Sequence, residues 1–170
     1  MQARNDTAPG LRITEATLAD ARLIFELTLA AWEEYRGRLE PPSGVFGETV
    51  ADVEAAIAHG GAVVAYLDGE AAGCCRYVAP EGTGYLYFGT LAVVPRFRRG
   101  GIASALVRWL EQRAAERGLP EVRLGVRLAL PGNIALYTGL GYEIFDYDER
   151  PGFGRVTATM RKRLPPARPA

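Results

Sequence analysis

The stretch Leu91-Ala-Val-Val-Pro-Arg-Phe-Arg-Arg-Gly-Gly-Ile-Ala-Ser-Ala-Leu106 decides how the chain is read. An apolar, β-branched run ends at Pro95, which cannot donate to a sheet ladder. A short Arg/Gly loop then opens directly into an amphipathic helix, with Ile102, Leu106, Trp109 and Leu110 on one face. The first N–H groups of a helix have no intrahelical partner, and the helix dipole adds partial positive charge there. Gly100 and Gly101 allow a ligand close to the backbone, and Arg96, Arg98 and Arg99 add charge-assisted donors. Strand, loop and helix together predict an anion site sized for a pyrophosphate. The spacing G-x-G-x-x-G is absent, so this is not a dinucleotide fingerprint.

Outward from this stretch the chain alternates strand and helix signals. Residues 11–14 alternate as a strand, and Thr17 with Asp20 forms a capping-box-like helix start. The helix that follows places Leu23, Leu27, Ala30 and Ala31 on one stripe and runs to about Tyr35. After the loop 36–47, residues 48–59 read as a helix stopped by Gly60-Gly61. Asp68-Gly69 joins strands 62–67 and 70–79 as a hairpin, and residues 85–94 form the next strand. Beyond the helix at 101–117 come a strand (121–128), a short helix (134–139) and strands 142–148 and 155–161. The order β-α-α-β-β-β-α-β-α-β-β predicts one α/β domain over residues 11–164. Its mixed sheet of about seven strands is flanked by helices. Residues 1–10 and 165–170 read as terminal tails.

Composition removes several functional classes. The chain has 170 residues, 20 basic and 20 acidic side chains and a formal net charge of zero, so no basic excess points to nucleic acid. One histidine, His59, precludes a metal site built from imidazoles, and no metal is expected. Cys74 and Cys75 are adjacent; in a strand they face opposite ways and are badly placed for a bridge, which fits a cytoplasmic location. Lys162 is the only lysine and does not follow a glycine, so no phosphate-binding loop of the Gly-Lys-Ser/Thr kind exists. No apolar run reaches the ~20 residues of a membrane span, and the first ten residues carry no signal core. No G-x-S-x-G elbow supports a serine nucleophile.

Arg98-Arg99-Gly100-Gly101-Ile102-Ala103 resembles the R/Q-x-x-G-x-G/A signature of the GCN5-related N-acetyltransferase (GNAT) family. Leu91-Ala92-Val93 followed by Pro95 is similar to the strand preceding that signature, and the element order is similar across residues 11–163. The resemblance implies that the backbone N–H groups of Arg99, Gly100, Gly101, Ile102, Ala103 and Ser104 hold the pyrophosphate of acetyl-CoA. Arg98 would add to the same site. The backbone of Leu91, Ala92 and Val93 would pair with the pantetheine arm and the thioester, in a sheet that the resemblance implies is partly splayed beside this strand. Asn133-Ile-Ala-Leu-Tyr-Thr-Gly-Leu-Gly-Tyr142 resembles the family's later segment and puts Tyr137 where many members carry a tyrosine that meets the departing thiolate. A phenol, with a pKa near 10, is a competent donor to a nascent thiolate.

Two departures stand out. The family's asparagine lies about seven residues before the tyrosine, at Leu130 here, whereas Asn133 is only four before it. Asn133 is therefore either a CoA contact or a helix cap. Some members also carry a carboxylate on the central strand where this chain has Tyr87, which leaves Glu33, Glu34 or Tyr87 through water as the base. The resulting expectation is acetyl transfer from acetyl-CoA, as co-substrate, to a small-molecule or peptide amine in a ternary complex. A non-catalytic acyl-CoA-binding domain and a transferase of longer acyl chains are the alternatives. Glu33 and Glu34 favour a cationic acceptor; neither nucleic acid nor membrane is an expected partner, and oligomeric state, homodimer included, is left open.

Overall fold

The computed structural model describes residues 8–166; most of both expected tails, 1–7 and 167–170, lies outside the described residues. β1 (Leu11–Glu15) leads through the Thr17/Asp20 capping box into a short turn and α1 (Ala21–Trp32). The α-helix stops three residues before Tyr35, and Glu33–Tyr35 continues as a tighter 3-10 turn. The buried stripe of α1 is Ala21, Ile24, Leu27, Thr28 and Ala31; Ala30, expected on it, faces solvent because the helix is rotated toward Ile24. α2 (Val50–His59) is opened by a second capping box, Thr49 with Asp52.

β2 (Gly61–Leu67) and β3 (Glu70–Val78) turn at Asp68 and Gly69, whose φ angles of 49° and 85° match the twist of a two-residue hairpin. β4 (Tyr85–Val93), α3 (Ile102–Glu116), β5 (Glu121–Arg127), α4 (Pro131–Gly139), β6 (Glu143–Arg150) and β7 (Gly154–Arg163) complete the expected order. The seven strands form one sheet in the order β1-β2-β3-β4-β5-β7-β6, antiparallel throughout except at β4–β5.

Strand alternation divides the core between the two faces of the sheet. Ala62, Val64, Cys74 and Ala92 pack against α1 and α2. Val63, Ala65, Cys75, Leu86 and Phe88 pack on the other side with α3 and with Tyr137 of α4. The two cysteines, both free and buried, thus face opposite layers as their adjacency in a strand requires.

Candidate active site

The sheet opens in its middle. β4 and β5 are in register from Tyr85 opposite Glu121 to Phe88 opposite Leu124, and the pairing stops there. On its other side β4 carries a bulge: Cys74 faces Ala92 and Arg76 faces Gly89, so Thr90 and Leu91 together oppose Cys75. Thr90 takes the left-handed conformation, φ 53°, which a β-branched residue adopts only under constraint. That constraint is visible. The Arg76 guanidinium donates to Thr90 Oγ1 at 2.9 Å and to both carboxylate oxygens of Glu48, each at 2.9 Å. Gly125 widens the opening on β5, since a Cβ there would come within 2.7 Å of the Tyr87 hydroxyl.

Three cavities follow one another across this opening. One of about 310 Å³ lies over the loop before α3 and is lined by Phe97, Arg99, Gly101, Ile102 and Ser104. It shares Val93, Arg98, Ala103 and Leu136 with a second, of about 220 Å³, which runs along Leu91, Ala92 and Val93. The third, of about 410 Å³, opens on the far side of β4. Trp32, Leu91, Asn133 and Tyr137 line both the second and the third, so these four side chains mark the junction.

The loop cavity has the donors of an anion site. Arg99 and Gly101 adopt φ angles of 65° and 78°, which turn the chain sharply into α3. The first helical bond runs from Ala105 N–H to the Gly101 carbonyl, 3.0 Å. Among the described residues, no N–H of Arg99, Gly100, Gly101, Ile102, Ala103 or Ser104 reaches a backbone carbonyl. Six consecutive donors at a helix start, with a glycine at the N-cap, fit the pyrophosphate of a CoA thioester. Arg98 is used differently from the sequence expectation. Its Nε donates to the Val93 carbonyl at 3.1 Å, one terminal nitrogen to the Ala31 carbonyl at 2.8 Å, and the other pairs with Glu34. It braces the end of α1 against β4 while bordering the cavities.

Tyr137 is buried against Phe88, ring centres 6.0 Å apart, and Tyr142, 6.2 Å. Burial, and secondarily the nearby Cys75 thiol, push its phenol well above the usual tyrosine range, which keeps it protonated and able to donate. Asn133 is the third residue of α4, and Leu130 occupies the N-cap without a side-chain bond. The helix-cap reading of Asn133 therefore fails, and its side chain belongs to the cavity junction.

Of the expected bases, Glu33 is held by Arg36 at 2.9 Å, which lowers its carboxyl, and Glu34 by Arg98; neither lines any of these three cavities. Tyr87 lines the third cavity, but burial raises its phenol. Glu48 is the only carboxylate lining that cavity among the described residues. Sequence reading took Glu48 as a helix start, because nothing local couples it to Arg76, 28 residues away.

The sequence model described as the acetyltransferase (GNAT) family matches residues 23–142, from α1 to the turn before β6. The chain belongs to that family. An acetyltransferase of Pectobacterium atrosepticum is 33% identical over 126 residues, covering 72% of this chain and 83% of the relative. Two solved structures share the fold. Ard1 from Thermoplasma volcanium is 21% identical with a TM-score of 0.74, over 91% of this chain and 98% of that one. The PaiA N-acetyltransferase from Thermoplasma acidophilum, solved in complex with coenzyme A, is 15% identical with a TM-score of 0.73, over 91% and 99%. As a GNAT protein the chain is an acyl-CoA-dependent N-acetyltransferase. In this GNAT chain no helix among the described residues is long and apolar enough to cross a membrane.

Proposed function

We propose that the protein transfers an acetyl group from acetyl-CoA to a primary amine by direct attack within a ternary complex. The junction formed by Trp32, Leu91, Asn133 and Tyr137 carries this reading, because it joins a channel leading from the anion site to a separate cavity. The N–H groups of residues 99–104 hold the pyrophosphate, and Leu91, Ala92 and Val93 align the pantetheine arm and thioester along β4. Backbone donors beside the bulge polarise the thioester carbonyl. The amine nitrogen bonds to the carbonyl carbon as the carbon–sulfur bond breaks. Tyr137 gives its proton to the departing thiolate and is reprotonated, through water, by the proton that the amine loses.

Direct attack is favoured over an acyl-enzyme by the state of the thiols. Cys74 and Cys75 are fully buried, line none of the three cavities, and burial raises both, Cys74 to about 11. A thiol held protonated is a poor nucleophile. Two free cysteines also accord with a cytoplasmic location.

Calorimetric titration with acetyl-CoA, free CoA and a long-chain acyl-CoA, followed by amine-dependent thiol release, tests the reading. Micromolar binding of acetyl-CoA with release only when an amine is present is the expected result. Failure to bind any CoA species would overturn it, binding without release would leave a sensor domain, and preference for the long chain would change the donor.

A further inference from the structure

The third cavity has the opposite charge to the one expected from Glu33 and Glu34. Both carboxylates are neutralised by arginines and lie outside the cavity. Arg127, at the end of β5, and Arg150, at the end of β6, line it instead. Arg127 lies opposite Thr157 of the intervening β7, which also lines the cavity, and Arg150 lies opposite Gly154 at the same end of that strand.

Arg127 has no carboxylate partner among the described residues. One terminal nitrogen donates to the Pro41 carbonyl, and its Nε is shielded from solvent without an acceptor. Burial and the nearby positive Arg150 both lower its pKa. Arg150 pairs with Asp148 at 3.1 Å, but their side chains are 48% and 53% exposed, a surface pair that a ligand can displace at little cost. The single carboxylate lining the cavity, Glu48, has both oxygens occupied by Arg76. The cavity thus presents two guanidiniums without a free counter-charge. Such a site repels a polycation and accepts the planar, two-oxygen face of an anion. Its volume, about 410 Å³, is that of a small-molecule site.

We infer that the acceptor is a small amine that also carries a carboxylate or phosphonate, held by Arg127 and Arg150 while its nitrogen reaches the junction at Tyr137. This rests on the transferase reading above and names its substrate class.

The test uses the full chain, saturating acetyl-CoA and matched amines. L-leucine and L-phenylalanine are each compared with their amides, 3-aminopropylphosphonate with propylamine, and spermidine serves as the polycation. An anionic member favoured about tenfold or more in kcat/KM over its neutral partner is the expected result, and the pairs separate carboxylate from phosphonate. Arg150→Gln lowers kcat/KM for the favoured anionic amine about tenfold, chiefly through KM, with the melting transition retained. Arg127→Lys keeps the charge but loses the fork, and weakens the same substrate. Preference for spermidine or the neutral amines overturns the inference, as does an anionic preference unchanged in both variants. If no amine is turned over, the same probes are titrated into the protein–CoA complex. Selective binding of the anionic members then upholds the inference while ending the transferase reading, and equal binding of both members ends the inference too.

Discussion

Arg76 of β3 donates to the Thr90 hydroxyl of β4 at 2.9 Å, across the bulge that opens the sheet. The same guanidinium holds Glu48, with side-chain exposures of 12% and 25% for the pair, so one residue ties the carboxylate of the third cavity to the strained turn of the strand. Replacing Arg76 by Met leaves a largely shielded carboxylate without its partner and the left-handed Thr90 without its clamp. The expected loss is about 2–4 kcal/mol in urea unfolding, with turnover reduced further than stability explains.

In the proposed mechanism Tyr137 is the donor that meets the departing thiolate. Tyr137→Phe keeps the ring packing against Phe88 and Tyr142 and removes only the hydroxyl. The expected outcome is a fall in kcat of about 10²-fold with acetyl-CoA affinity unchanged, measured by steady-state kinetics and calorimetry. A variant with full turnover removes Tyr137 from the mechanism.

Gly100 and Gly101 separate fold from ligand. Gly101 sits at φ 78° with open space where a Cβ would lie, so Gly101→Ala costs about 1–2 kcal/mol through backbone strain. Gly100 has no positive φ, and a Cβ there would meet only the Phe97 carbonyl at an ordinary 3.5 Å. Gly100→Ala is expected to leave thermal unfolding unchanged while weakening CoA about tenfold, because the free N–H groups of this loop bind phosphate only at close backbone approach.

Alkaline pH loosens the fold through its buried phenols. Burial and then the bond to Glu15, 2.6 Å, raise Tyr77 from 10 to about 12. A group whose folded pKa lies above its unfolded value contributes stability in full below the unfolded pKa and loses it as pH rises toward the folded one. Urea midpoints are therefore expected to hold steady up to about pH 9 and to fall from about 10 to 12, with a shallower slope in Tyr77→Phe. An unchanged slope in that variant assigns the effect to the other raised phenols, Tyr35, Tyr87, Tyr137 and Tyr142.

The amino-acid order determined by itself whatever rests on neighbouring residues. The capping box at Thr17 and Asp20, the Asp68-Gly69 hairpin, the separation of Cys74 from Cys75, and the free donors before Ile102 all arise within a few positions, where backbone geometry leaves little choice. The order of seven strands and four helices followed from the same local signals. Only the tertiary structure decided the partners of the charged side chains. Arg98 reaches Glu34 across 64 positions and Arg76 reaches Glu48 across 28, and these pairings make a residue of the loop cavity also a brace and an apparent helix start a cavity wall. Whether such a carboxylate is free or neutralised depends on which guanidinium the folded chain brings within about 4 Å, and pairs this far apart leave no trace in sequence spacing. The third cavity is lined by Arg127 and Arg150, although the adjacent Glu33 and Glu34 promised the opposite charge.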